Sequence, residues 1–278
     1  MKVSLISFKR HFIQIFMVFL GLVAIIPVYI LLINATRSTE EINLGLSILP
    51  STNIAHNWNA LVSRRFHIWT GFANSAFVAS AATVLSVYFS ALTAYGLHVY
   101  RFKGRLVIWT IILIIMMLPG TLTLIGFYQL MVRINLTNNF IPLIIPGIAA
   151  AASVLFIRQY MLATLNAELI DAARIDGANE FHIFNVIIIP IIIPALAAQS
   201  IFTFVGSWNN YILPLILLSD ERMFTLPMLV QSLRADIYRT EFGGIYLGIA
   251  MSLIPILIFY AFMSRYIISG LTLGSIKE

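Results

Sequence analysis

Two polar sets interrupt an otherwise apolar chain, and both could take part in binding. The first is a charged segment, residues 166–180, which carries Asp171, Arg174 and Asp176. The second contains hydroxyl, indole and amide side chains and no charge: Thr203, Ser207, Trp208, Asn209 and Asn210. Such groups can hydrogen-bond and stack against a hydroxylated ligand, and we expect them to lie along a ligand path. They can equally join helices to one another inside a membrane.

Catalytic chemistry finds little support in the sequence. The five histidines are scattered without H-x-x-H or H-E-x-x-H spacing, and there are no cysteines, so no metal site is indicated. No Ser/His/Asp arrangement can be argued. The phosphate-binding pattern G-x-x-x-x-G-K-[ST] is also missing from the sequence. We therefore predict that the chain is not an enzyme and that it holds no metal or cofactor itself.

Composition points to a membrane protein. Hydrophobic residues make up 60% of the 278 positions and charged residues only 10%, whereas soluble domains average about 25% charged residues. The apolar residues fall in blocks long enough to cross a bilayer as helices, for which about 20 residues are needed. Clustered basic and aromatic residues outside these blocks, which nucleic-acid binding would require, are not found.

The apolar blocks predict an all-α protein with six transmembrane helices. The predicted spans are 11–34, 71–99, 106–131, 140–160, 186–217 and 243–267. The first apolar run exceeds the h-region of a signal peptide and is followed by no A-x-A site, which favours a retained signal-anchor helix. We expect residues 1–70 to form this helix and an extracytoplasmic loop. Residues 71–278 would form the core domain, with a cytoplasmic loop at 163–185.

The basic residues of the connecting segments predict the orientation. The clearest signal is the short turn that contains Arg101, Lys103 and Arg105, because positive charge in short loops marks the cytoplasmic side. Both termini are therefore placed in the cytoplasm. Arg158 and Arg265, near the ends of their predicted spans, are counted with the cytoplasmic connecting segments. No other Arg or Lys falls within a predicted span, which favours a neutral ligand over an acidic one. Prolines within several spans, including Pro119, Pro190 and Pro194, predict kinked helices.

The charged segment predicts two short helices. Asn166 and Asn179 are suited to cap them, and Gly177 between them is suited to a left-handed conformation that ends the first. Asp171 and Arg174 are spaced to pair on the helix surface. Three small or apolar residues share one face of the first helix: Leu169, Ala172 and Ala173. A helix this short needs a packing partner, which could be its own bundle or a separate protein.

The same segment resembles the EAA loop of ABC-transporter permeases. Asp171-Ala-Ala, then three residues to Gly177, then nine residues to Ile187-Ile-Ile-Pro190, follow that pattern, with Asp in place of Glu and Ile189 in place of Leu. Further segments resemble the maltose-permease-like carbohydrate branch of these proteins: Asn74-Ser75, Ala94-Tyr95-Gly96, Gly206–Pro214 and Asp220–Pro227. The resemblance extends from about Gly71 to the C-terminus.

This resemblance implies a type I ABC importer permease fold in the bacterial cytoplasmic membrane. It implies that the loop is a coupling helix docked on a separate ATPase, which binds ATP and Mg. The loop residues so assigned are Leu169, Asp171, Ala172, Ala173, Asp176, Gly177 and Pro190. The implied partners are a second homologous permease, two ATPase subunits and an extracytoplasmic sugar-binding protein. The implied cargo is a sugar, in particular a di- or oligosaccharide.

Two alternatives stay open at this stage. The chain could be an ABC permease for another solute, such as a polyol, a glycerol phosphodiester or a peptide. It could also be a secondary transporter driven by an ion gradient. Such transporters often carry ionisable groups within spans and paired internal repeats, whereas this sequence has no Asp or Glu in any predicted span and no clear repeat.

Overall fold

The computed structural model describes residues 2–62, 68–233 and 240–274. About 80% of the described residues are helical and none lies in a strand, so the all-α prediction is confirmed. Both chain termini, for which a cytoplasmic location is predicted, lie outside the described residues. The helices are, in chain order, α1 (Lys2–Asn34), α2 (Thr39–Asn43), α3 (Ile54–Val62), α4 (Ile68–Val99), α5 (Arg105–Met117), α6 (Gly120–Arg133), α7 (Ile141–Ile144), α8 (Ala151–Thr164), α9 (Ala167–Ile175), α10 (Glu180–His182), α11 (Ile189–Trp208), α12 (Ile212–Leu217), α13 (Leu226–Ser232) and α14 (Phe242–Gly274).

Five helical segments among the described residues are long and apolar enough to cross a membrane, and a sixth is divided into two helices. The five are His11–Asn34, Ile68–Val99, Ile141–Thr164, Glu180–Trp208 and Phe242–Ile267. The predicted third span is not one helix. Its halves, α5 and α6, meet at an angle of 101°. Leu118, which precedes Pro119, is extended, because a proline disfavours the helical conformation of the residue before it.

The fifth span differs from its prediction at both ends. The helix already begins at Glu180 and ends at Trp208, so α12 is a separate helix. Between α10 and α11 the chain forms a π-helical turn, Ile183–Ile188. Pro190 is the second residue of α11, which follows this turn. A proline lacks the N–H that the preceding helical turn would use, and a wider π turn relieves the resulting clash.

The chain divides into two compact units. The first comprises residues 1–68 and 229–253, and the second comprises 69–228 and 254–278. In the first unit the buried Asn57 donates hydrogen bonds of 2.9 Å to the carbonyls of Ala35 and Arg37. Gly243 packs directly against this group, where a Cβ atom would collide with Asn57 and the Arg37 carbonyl. This close contact fixes the start of α14 within the first unit.

The second unit has a core built from α4, α8, α9 and the helix that starts at Glu180. The buried side chains of this core are Ala91, Ala94, Tyr95, Leu97, Val154, Ile157, Met161, Ile170, Ala173, Ile183, Phe184, Ile188 and Ile192. Small alanines on α4 allow the neighbouring helices to approach closely. The charged segment 166–180 is therefore packed onto the ends of the spans.

Candidate functional site

The charged segment folds as the short capped helix that its sequence predicts. The side chain of Asn166 accepts a hydrogen bond of 3.1 Å from the Glu168 amide at the start of α9. At its end Gly177 adopts φ +81°. The Ala178 amide bonds to the Ala173 carbonyl and the Gly177 amide to the Arg174 carbonyl, both at 3.0 Å. These two bonds form a Schellman motif, which satisfies the last carbonyls of the helix.

Asn179 caps the next helix, as predicted, by accepting a 2.8 Å bond from the His182 amide. That helix is not a separate short element, however. It continues through the π turn into the membrane span. Pro190 lies inside this span, as predicted, ten residues after Glu180. A rotation of the span would therefore move the loop directly.

α9 has two faces of different character. Ile170 and Ala173 are buried in the core of the second unit, at 3% and 8% exposure. The other face is open, with Ala172 exposed, Leu169 41% exposed and Ile175 87% exposed. The predicted group of Leu169, Ala172 and Ala173 is therefore divided between the faces. One face of α9 packs on its own bundle, and the other has no cover within the described residues.

A polar network fastens α9 to the spans beside it. Arg174 donates a 2.7 Å hydrogen bond from Nε to Glu180 and a 3.2 Å bond from Nη1 to Asp171. The hydroxyl of Tyr95, on α4, donates to the second Glu180 oxygen at 3.0 Å. Arg174 also lies over the ring of Tyr100, 5.8 Å from its centre. Glu180 thus joins α9, α4 and the fifth span.

The electrostatics of this network follow from its contacts. The hydrogen bond to Glu180 is the main cause that raises the pKa of Arg174. Burial, followed by the hydrogen bond to Glu180, raises the pKa of the Tyr100 hydroxyl. Both residues therefore keep their usual protonation states at neutral pH. Sequence reasoning missed the roles of Ile170, Ile175 and Glu180, although the spacing of Ile170 and Ala173 was a usable sign of a buried face.

The remaining loop residues are exposed. The side chain of Asp171 is 68% exposed despite its bond to Arg174, and Asp176 lies at the C-cap of α9, also exposed. No group of three or more His, Asp or Glu side chains that could hold a metal occurs among the described residues. The open side of α9 is thus an apolar patch bordered by carboxylates, suited to contact with a protein surface.

The uncharged polar set lies at the other end of the second unit, where α11 ends. Trp208 is 1% exposed and packs between Phe72 and Phe204, with ring centres 6.2 and 5.7 Å away. Asn209 is exposed, and the side chain of Asn210, just before α12, accepts a 3.3 Å bond from the Leu213 amide. The indole of Trp208 therefore supports the core in this conformation, and Asn209 is the polar group open to a ligand.

Two other members of this set, Thr203 and Ser207, are half-buried. Thr203 receives a long 3.5 Å contact from Gln199. Gln199 is itself buried and donates a 2.8 Å bond to Ser153 of α8. Part of the polarity of α11 thus joins two spans, as the interhelical alternative predicts.

The same end of the unit contains a second hydrogen-bonded junction. Asn74 donates 2.9 Å bonds to the carbonyls of Arg222 and Phe224, and the Ser75 hydroxyl accepts a 2.8 Å bond from the Leu226 amide. Two segments that resemble the carbohydrate branch therefore contact each other. Beside them, Arg222 holds the pKa of Asp220 at about 2. Hydrogen bonds from Asn74 and the Asp220–Arg222 ion pair hold this loop in place, in addition to its short helices.

Known proteins share this architecture over nearly the whole chain. The protein-family model of the binding-protein-dependent transport system inner membrane component matches residues 86–272. The arabinooligosaccharides transport system permease protein AraQ of Halalkalibacterium halodurans is 38% identical over 262 residues, 93% of each chain. The lactose transport system permease protein LacG of Rhizobium radiobacter is 33% identical over 257 residues, 91% of each chain.

A solved structure agrees with these relatives. The crystal structure of a bacterial ABC transporter involved in the import of the acidic polysaccharide alginate contains a chain with a TM-score of 0.76 and 26% identity. The match covers 92% of this chain and 96% of that one. Fold and loop together define a multi-pass permease of an ABC importer. The chain belongs to the family of binding-protein-dependent transport system inner membrane components, and it resides in the bacterial cytoplasmic membrane.

Proposed function

We propose that this chain is one permease subunit of a sugar importer, and that a separate ATPase drives it by binding the open face of α9. The observation that supports this role is the combination of a fixed and a free face on one short helix. Ile170 and Ala173 anchor α9 in the core, while Ile175 extends into the solvent. A helix held this way can receive force on one side and pass it to the spans on the other.

The proposed cycle is alternating access. Closure of two ATPase subunits on ATP moves α9, and the network through Glu180 carries this movement to α4 and to the fifth span. The bend between α5 and α6 and the π turn before Pro190 provide places where spans can flex. The second permease, the ATPase pair and the sugar-binding protein are parts of this proposal, and ATP and Mg belong to the ATPase.

Orientation completes the proposal, with both termini and α9 in the cytoplasm and Asn209 on the outer side. Because the chain has no cysteine, each introduced cysteine is a unique label within it. We expect Asp176→Cys to react with an impermeant maleimide only in inverted vesicles, and Asn209→Cys only in intact cells. The opposite pattern would refute the assignment of α9 as the ATPase contact.

The proposed cargo is a di- or oligosaccharide. The similar permeases serve arabinooligosaccharide and lactose systems by name, and the exposed group at the outer end of α11 is the uncharged amide of Asn209. The prediction that arginine and lysine stay out of the spans is wrong, because Arg158 lies within Ile141–Thr164 and Arg265 within Phe242–Ile267. Arg158 lies over the ring of Trp109 of α5, 4.1 Å from its centre.

The decisive experiment uses the assembled importer with its binding protein in proteoliposomes. We expect arabino-oligosaccharides or lactose to stimulate ATP hydrolysis and to enter the lumen. Stimulation by a polyol, a glycerol phosphodiester or a peptide alone would assign the alternative solute class. Uptake that stops when ion gradients collapse, with ATP still supplied, would instead indicate a secondary transporter.

A further inference from the structure

Two positive side chains without acidic partners, Arg105 and Arg158, lie beside His98 at the end of the second unit where α9 packs. Arg105 is the first residue of α5, His98 lies in the last turn of α4, and Arg158 lies in α8. His98 is within electrostatic range of both arginines. The ion pairs among the described residues involve neither Arg105 nor Arg158. The positive charge of this group is therefore not neutralised by the described part of the chain.

Arg158 lies within a membrane span. It precedes the end of α8 by six residues, which corresponds to about 9 Å along the helix axis. A charged side chain at such a depth is costly unless it is paired or reaches the interface. Its guanidinium lies 4.1 Å from the centre of the Trp109 ring, but its Nε atom is buried and has no hydrogen-bond partner. A cation–π contact uses the face of the guanidinium and leaves its edge donors free.

These donors border a small cavity. The cavity measures about 200 Å³ and is lined by Leu97, Arg105, Leu106, Trp109 and Arg158. The start of α5 adds to its positive potential. Gly104 offers no capping side chain, and the first turn contains no acidic residue. Uncapped amides at a helix N-terminus attract anions. Two arginines and a helix start thus surround one cavity.

A second cavity adjoins the first and has a different character. It measures about 400 Å³ and is lined by Thr93, Gly96, Leu97, Tyr100, Phe102 and Ile108. Its open surface is apolar, and Leu97 belongs to both cavities. A cationic cavity next to an apolar one fits a ligand with an anionic group and a hydrocarbon chain. A free inorganic anion would occupy only the first.

We propose that this site binds one anionic phospholipid, with the phosphodiester between Arg105 and Arg158 and an acyl chain along the apolar cavity. Basic pockets between transmembrane helices bind such headgroups in other membrane proteins. The lipid supplies the acceptor that Arg158 lacks. It also bridges α5 to α8 beside the base of α9, which stabilises the helix ends to which that loop is attached. The proposal does not depend on the transported solute or on the ATPase contact.

The test titrates the purified, delipidated importer complex with phosphatidylglycerol or phosphatidylcholine and counts bound lipid by native mass spectrometry. We expect one tightly bound phosphatidylglycerol and no equivalent phosphatidylcholine. Arg158→Gln and Arg105→Gln should each weaken this binding about tenfold, the loss expected for a charge-assisted hydrogen bond. The matched control is Arg101→Gln, which removes the same charge from the adjacent turn without lining either cavity. It should change the affinity less than about threefold.

Several results would overturn the proposal. Equal binding of the two lipids, or an equal effect of Arg101→Gln, would indicate nonspecific attraction. Displacement of the lipid by millimolar inorganic phosphate would indicate a simple anion pocket. Loss of a partner subunit in Arg105→Gln with unchanged lipid affinity would assign the charges to a protein contact. If Arg158→Gln fails to assemble, Arg158→Lys replaces it, because it keeps the positive charge. Arg105→Gln, on another helix, then measures the effect of charge removal on lipid affinity.

Discussion

Ile175 offers a direct measurement of what the open face of α9 contributes. Its side chain is 87% exposed, so it makes few contacts within its own chain. If an ATPase subunit covers it, Ile175→Ala removes three carbon groups from that interface. At about 0.8 kcal/mol for each buried group, scaled by the exposed fraction, the loss is about 2 kcal/mol. This corresponds to about 30-fold weaker binding of the ATPase.

The assay pairs two measurements on the same variant. Affinity of the membrane subunits for the separately purified ATPase is measured in nanodiscs by light scattering or surface-based binding. Thermal unfolding is measured on the permease subunits without the ATPase. We expect Ile175→Ala to weaken ATPase binding about 30-fold and to leave the unfolding temperature within error, because no buried side chain loses a neighbour.

Two matched variants serve as controls. Leu44→Ala truncates an apolar residue that is 88% exposed outside the spans, and it should change neither quantity. Ile170→Ala truncates the buried face of α9, and it should lower the unfolding temperature, since it creates a cavity that costs about 2–5 kcal/mol. An Ile175→Ala variant with wild-type ATPase affinity would refute the reasoning that this face is the docking surface.

Three further predictions concern the loop and the first unit. Gly177→Leu should strain the left-handed end of α9 by about 1–2 kcal/mol and reduce ATP-driven transport without preventing membrane insertion. Gly177→Asn should be tolerated. Transport assays and membrane fractionation of both variants test this prediction. Glu180→Gln should lower the local stability of α9 by no more than about 1 kcal/mol, because the ion pair of Arg174 with Glu180 is partly exposed. We expect about fivefold faster hydrogen exchange across residues 166–180. Unchanged exchange there would count against the network. Gly243→Ala should destabilise the first unit by about 1–3 kcal/mol, since its Cβ would collide with Asn57, while Gly244→Ala, with its nearest neighbour at 3.5 Å, should not; thermal unfolding of both separates collision from a general glycine effect.

The loop was the part of the site most accessible to sequence reasoning. Its caps, the left-handed glycine and the Asp171–Arg174 pair depend on residues within a few positions of one another, and all are confirmed. Local hydrogen bonds of this kind are set by the order of residue types alone. What the loop does in the assembled importer stays a proposal, because it depends on proteins outside the chain.

Errors in the sequence analysis arose where distant packing or backbone geometry decides. Pro119 was expected to kink a span, but the structure separates α5 from α6 by 101°. The predicted fifth span was extended past Asn209, although the helix ends at Trp208. Pro119-Gly120 and Asn209-Asn210 interrupt the apolar sequence at these two breaks, but apolar residues continue on both sides, so the sequence alone does not fix how far the chain bends there. Arg158 is two residues from the end of the predicted span 140–160, whereas α8 continues to Thr164, so its side chain lies deeper than the sequence predicts.

The sequence by itself determined that this chain crosses a membrane as helices and carries a short capped helix between two spans. It could do so because apolar length and capping are local properties. Only the tertiary structure decided which face of α9 is covered, that Glu180 ties it to Tyr95, and that Arg105 and Arg158 share one cavity. These facts depend on how separate helices meet, and side chains far apart in the chain come together only when the core around Ile170 and Ala173 is packed.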